Sequence, residues 1–183
     1  AGENTDDRPT PEAYNKAEAF LEQGPVAGFT LGMHATDFTY DYLPHIKDIA
    51  ATGSGWISIS FSFYQNTNFD AQINTPPPSH PFWARFETPI RQAKSHGLKV
   101  IVFPIVLLKF PMMSLWRGTI RPSDFDEWYE SYESMMIPIA KIAEKTKAEM
   151  LSVGSEFCSL EKATMRWEHV IEVIKSEYTG ALM

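Results

Sequence analysis

Met150-Leu-Ser-Val-Gly-Ser-Glu-Phe157 decides how this chain is read. A short apolar run ends in a glycine, a serine and a glutamate, and helical spacing resumes at Glu161. That is the pattern of a buried strand with a carboxylate, Glu156, at its C-terminal tip. In parallel α/β folds the strand tips are where chemistry is placed. Glu156 therefore has two readings, a catalytic carboxyl or a surface glutamate that opens a loop. At an apolar tip, desolvation favours the neutral carboxyl that a general acid needs.

Working outward from that stretch, the same unit recurs. Gly28 to Ala35 reads as a first strand and Tyr42 to Ala51 as a helix closed by Gly53. Trp56-Ile-Ser-Ile-Ser-Phe-Ser-Phe63 alternates apolar and small polar residues, a second strand with its serines on one side. Pro81 to His96 is helical and ends at Gly97, and Leu98 to Leu108 is an apolar strand expected to be buried on both faces. Ser123-Asp-Phe-Asp126 has the character of a helix cap, and the helix after it runs to about Lys145, with a kink expected at Pro138. Met150 to Phe157 is the fourth strand, Glu161 to Tyr178 the fourth helix, and Ala181-Leu-Met183 the opening of a fifth strand. Residues 1–10 read as a flexible arm, and Pro11 to Gln23 has the spacing of a leading helix.

The order is βα repeated four times. The loops after strands two and three are long and the αβ loops short, which is the pattern of a TIM barrel with its site on the C-terminal face. A doubly wound sheet is the structural alternative, but no glycine-rich phosphate loop occurs. Eight units need about 250 residues. With four present, residues 11–183 are expected to be the N-terminal half of a barrel. Two open sheet edges and a broad apolar face would make such a half self-associate.

Composition narrows the partners. The 183 residues are 44% hydrophobic and 21% charged with a net charge of −7, and no Lys/Arg cluster marks a nucleic-acid footprint. No apolar run reaches the roughly 20 residues of a membrane span. A single cysteine, Cys158, excludes an intrachain disulfide framework and a multi-thiolate zinc site. His45, His80, His96 and His169 show no metal-ligand spacing. Aromatic residues make up 13%, enough to supply sugar-stacking faces as well as core.

Other candidates lie at the strand tips. Trp116-Arg117-Gly118, after the third strand, pairs a stacking face with planar donors and suits a sugar or a carboxylate, or is a rim tryptophan beside a solvated arginine. Tyr64-Gln65-Asn66 offers donors and acceptors where a substrate hydroxyl would lie, or simply opens a polar loop. His34 follows the first strand. A lone histidine there is more often structural than catalytic, and it is kept as a substrate-contact candidate.

These residues together resemble the N-terminal half of clan A glycoside hydrolases, most closely glycoside hydrolase family 113, the β-mannanase-like TIM barrels. The resemblance spans about Gly28 to Met183. It rests on Gly97-Leu-Lys-Val100, Trp116-Arg-Gly118 with Ile120, the helix of Trp128 and Tyr132, Val153-Gly-Ser-Glu-Phe157 against the family's Gly-Thr-Glu, and Arg166-Trp167, Val170-Ile171 and Tyr178-Thr-Gly180. It implies a retaining glycosidase, mannan being the leading substrate, with Glu156 as acid/base and no cofactor. The nucleophile would be a glutamate ending strand seven, and no residue of this chain matches it. One departure is Phe103-Pro104-Ile105, where the family places a basic residue and a histidine beside the proline at the end of strand three.

The resemblance also implies an oligo- or polysaccharide as the partner, and an extracellular or periplasmic home by analogy alone. The competing reading is a non-catalytic sugar-binding or inactive half barrel. A barrel aldolase or isomerase would show a strand-tip lysine or a metal-binding His/Asp set, and neither is evident.

Overall fold

The strands pair in the order in which the chain makes them. β1 (Gly28–Gly32), β2 (Trp56–Gln65), β3 (Lys99–Leu108), β4 (Met150–Leu151) and β5 (Ala181–Leu182) form one sheet in the order β1-β2-β3-β4-β5. Every neighbouring pair is parallel. The computed structural model describes residues 24–37, 39–111 and 115–183. The arm expected over 1–10 and the helix expected over Pro11 to Gln23 lie outside those residues.

Helices α1 (Leu43–Ala51), α2 (Phe82–Ser95), α3 (Phe125–Thr146) and α4 (Thr164–Glu177) fill the crossovers, and each packs against the next. A doubly wound sheet reverses its strand order at a switch point. This one advances in a single direction, as a (β/α) barrel does, so the expected TIM-barrel arrangement of about four βα units is the one observed.

Side-chain alternation separates the two faces. Ile57, Ile59, Phe61 and Phe63 of β2 and Val100, Val102, Pro104 and Val106 of β3 are buried under the helices. There they meet Ile46 of α1, Phe86 and Ile90 of α2, and Trp128, Met135 and Ile139 of α3. The Phe61 and Phe86 rings stack at 4.0 Å. On the opposite face Ile101, Phe103 and Ile105 stand opposite Ser58, Ser60 and Ser62 and are only half-buried. β3 is therefore covered fully on one face only, where its apolar sequence suggested burial on both. The first strand needs a glycine at its start, because a Cβ on Gly28 would collide with the Trp56 carbonyl.

Several boundaries differ from the sequence reading: β1 ends at Gly32 rather than Ala35, and β2 continues to Gln65 rather than Phe63. α4 begins at Thr164 rather than Glu161, the intervening residues forming turns through Leu160 N–H to Phe157 O at 2.8 Å and Ala163 N–H to Leu160 O at 3.1 Å. β4 is also much shorter than Met150 to Phe157, with a cause in its neighbour. Val100 O and Val102 O accept from Glu149 and Ser152 N–H, so the even-numbered peptides of β3 face β4. Pro104 is next in that row and has no N–H to offer, so the ladder stops and the chain is free to turn away. α3 runs unbroken through Pro138, with Asp124 as its cap, its side chain accepting from Glu127 N–H at 3.0 Å.

Candidate active site at the strand tips

Past Val153, whose N–H still donates to Met183 O at 2.9 Å, the chain leaves the sheet and is held by side chains from the helices. The Tyr132 hydroxyl donates to Val153 O at 2.8 Å, and Tyr129 OH and Trp167 Nε1–H donate to Leu160 O at 3.2 and 3.0 Å. Burial pushes the Tyr129 phenol up to about 12 and Tyr132 further in the same direction, so both remain hydroxyl donors. Phe157 enters the box of rings that these residues make, 5.4 Å from Trp128, 5.4 Å from Tyr132 and 5.7 Å from Trp167.

Between these anchors Glu156 adopts a left-handed backbone, φ +58°. A non-glycine residue holds that conformation only where its surroundings over-determine it. Here the turn sends Phe157 into the core and Glu156 out to the surface. The Glu156 side chain is 52% exposed, so the apolar enclosure expected around a strand-tip carboxyl is not what the described residues provide.

The carboxylate meets Arg117. Its Oε2 is ion-paired with Arg117 Nη2, and the arginine side chain is 20% exposed. The guanidinium lies 5.8 Å from the centre of the Trp116 ring. That indole folds over Gly118, where a Cβ would stand 2.5 Å from the ring, so only glycine leaves it room. Arg117 to Thr119 form a 3₁₀ turn, and this turn is joined to the β4 loop by Ser159 N–H to Gly118 O at 3.2 Å and by Ser159 Oγ–H to Ile120 O. Two motifs that the sequence offered separately are therefore one arrangement. Adjacent strands imply adjacent tips, and the sequence-order sheet was the signal that could have joined them.

The β2 candidates divide. Gln65 is fully buried, its amide donating to Thr67 O at 2.7 Å and its Oε1 accepting from Trp128 Nε1–H at 2.9 Å. This corrects its reading as a substrate contact, since a side chain sealed from solvent with both ends bonded supports the loop instead. Asn66 is exposed and accepts from Asn74 Nδ2 at 3.4 Å. Tyr64 is 43% exposed and lines a cleft of about 350 Å³ with His34, itself exposed, Asn74 and Arg85. Arg85 crosses from α2 to donate to Ala35 O. Neither Arg85 nor Asn74 stood out in the sequence, because a polar residue in a helix or long loop carries no positional signal.

A second opening, about 440 Å³, lies beside Glu156 between the β4 loop and α4, lined by Val153, Phe157, Trp167 and Ile171 among others. Pro104 sits inside β3, with the strand continuing to Leu108 as the sequence indicated, so Phe103 and Ile105 lie below the tips and not at the strand end that the family resemblance implied. Among the described residues no group of three His, Cys, Asp or Glu side chains could hold a metal ion, and no helix is long and apolar enough to cross a membrane.

Comparison with known proteins places this geometry in a lineage. The family model of Glycoside Hydrolase Family 113 matches residues 29–183. A β-mannanase of that family from Alicyclobacillus acidocaldarius, solved in complex with ManMIm, is 25% identical, with 87% of this chain and 53% of that one covered and a TM-score of 0.76. A family 113 β-1,4-mannanase structure is 28% identical, covering 86% of this chain and 54% of that one with a TM-score of 0.75. A β-1,4-mannanase complex gives 27% identity, coverage of 85% and 53%, and a TM-score of 0.73. The chain thus spans about half the length of the solved structures it matches. No curated protein matches it.

Proposed function

The chain belongs to glycoside hydrolase family 113, and from that premise we propose that the whole protein is a retaining glycosidase acting on β-linked glycans, β-1,4-mannan first among them, with Glu156 as its acid/base. The observation that carries this reading is the placement of Glu156. It projects to the surface from a left-handed turn in the loop after β4, beside the loop that follows β3.

In a retaining mechanism the acid/base gives its proton to the glycosidic oxygen as the C–O bond breaks, then takes a proton from the water that releases the sugar from the nucleophile. Both steps need a carboxyl that reaches solvent and substrate, which the exposure of Glu156 supports. The nucleophile is a second carboxylate about 5–5.5 Å away, and no residue of this chain is assigned to it. Trp116, with its half-exposed indole, offers a stacking face beside the carboxylate. Tyr64, Asn66 and His34 offer polar contacts farther along the strand tips.

The test is Glu156→Gln in the full-length protein. Hydrolysis of mannan should fall by roughly 100-fold or more with an unchanged circular dichroism spectrum, and wild-type product should carry the β configuration when first released. Undiminished turnover by the variant would remove Glu156 from the mechanism.

A further inference from the structure

We propose that Arg117 is the positioning residue of Glu156. Its guanidinium fixes the direction of the carboxyl and balances the negative charge that remains when Glu156 gives up its proton. The inference rests on the acid/base reading of Glu156 and assigns Arg117 to the carboxylate, where the sequence had offered it to the substrate.

Three observations converge on this role. First, the guanidinium has few other engagements. Its Nη2 pairs with Glu156, its plane lies near the Trp116 ring, and its Nε is buried without a hydrogen-bond partner among the described residues. Second, the arginine is the more buried member of the pair, being 20% exposed against 52% for the glutamate. An exposed ion pair contributes little to stability, so what this one supplies is orientation. Third, the two loops that carry the pair are locked to each other independently of it, by Ser159 bonding to Gly118 O and Ile120 O. A hydrogen-bonded base under a fixed cation keeps one rotamer, and holding a reacting group within a narrow geometry is worth much of a catalytic rate.

The charge argument follows the proton. When the glycosidic C–O bond breaks, its electron pair goes to the oxygen and the proton of Glu156 joins it there. The carboxylate left behind is the species that the ion pair accommodates, and arginine keeps its charge throughout. The sugar carbon is meanwhile bonded by the nucleophile carboxylate. The Glu156 carboxylate then accepts a proton from water as the water oxygen bonds to that carbon and the carbon–nucleophile bond breaks, its electron pair returning to the nucleophile. The paired geometry is thus the state between the two proton transfers.

The test is a double-mutant cycle in the full-length protein, using Glu156→Ala, Arg117→Met and the combination. An aryl β-manno-oligosaccharide with an easily departing phenol keeps the turnover of Glu156→Ala measurable. With this substrate the departing phenol needs no acid and the water step limits turnover, so Arg117→Met alone should lower kcat roughly tenfold or more, from the loss of one charge-assisted hydrogen bond, and Arg117→Lys should recover part of it. In the Glu156→Ala background the same Arg117→Met change should cost less than twofold. If its full cost persists there, Arg117 acts on the substrate or the fold and the proposal is overturned while Glu156 stands. If Glu156→Ala cleaves mannan as well as wild type does, both readings fall. Should Arg117→Met not fold, as judged by thermal melting, the cycle is closed with Arg117→Lys and the same criterion applies.

Discussion

Trp128 donates its indole N–H to the Gln65 side-chain oxygen at 2.9 Å, with both side chains fully buried. The bond ties the first turns of α3 to the tip of β2, directly beneath the loops that frame the site. It is long-range in sequence and sealed from water, so its loss cannot be made good by solvent.

Trp128→Phe should therefore destabilise the protein by about 1–3 kcal/mol through the orphaned Gln65 oxygen, with lost ring packing against Phe157 and Tyr132 in addition. Gln65→Leu should cost a similar amount, because it strands the buried indole N–H. Urea unfolding would measure both. A midpoint equal to that of wild type would mean that the bond is dispensable.

Acid should act at Glu144, near the C-terminal end of α3. The Lys147 ammonium bonded to it, then the backbone N–H and hydroxyl of Thr179, hold its carboxyl down at about 2. A depressed folded-state value adds stability at pH above the ordinary value of 4.5, and this contribution fades as pH falls toward about 2. Glu144→Gln should therefore lower Tm at neutral pH and converge with wild type near pH 2. The gap should shrink in high salt, since the group is at the surface. Parallel Tm–pH curves would contradict the assignment.

Gly118→Ala tests the sugar platform. The added Cβ would push the Trp116 indole off the 3₁₀ turn, and a half-exposed indole can swing outward without disturbing the core. The expected result is a melting temperature close to wild type with KM on manno-oligosaccharides raised several-fold, as loss of one stacking contact worth about 1 kcal/mol implies. Unchanged KM would show that Trp116 is not a substrate platform.

Sequence periodicity carried the architecture because burial under helices enforces it. The alternation of β2 and the spacing of α2 and α3 each report a face pressed against a core. β4 was misread because an apolar run describes burial and not pairing. Phe157 is apolar because it packs against Trp128, Tyr132 and Trp167, not because it extends the ladder with β3. Glu156 was expected at a strand tip and stands in the loop beyond it. Its left-handed turn was not legible, because the neighbouring anchors come from α3 and α4, and Gln65 looked like a ligand because a buried amide and an exposed one are the same letter.

The loops after β2 and β3 are joined by Lys109 N–H to Gln65 O, Phe110 N–H to Asn66 O, Arg121 N–H to Asn68 O and Ser123 N–H to Phe69 O, all at 2.8 to 2.9 Å. Every one of these bonds is made by the main chain, so any amino acid other than proline on the donor side preserves them. Selection can exchange the side chains along this rim one at a time without a new scaffold, and divergence in what relatives recognise need not wait on divergence in how they fold.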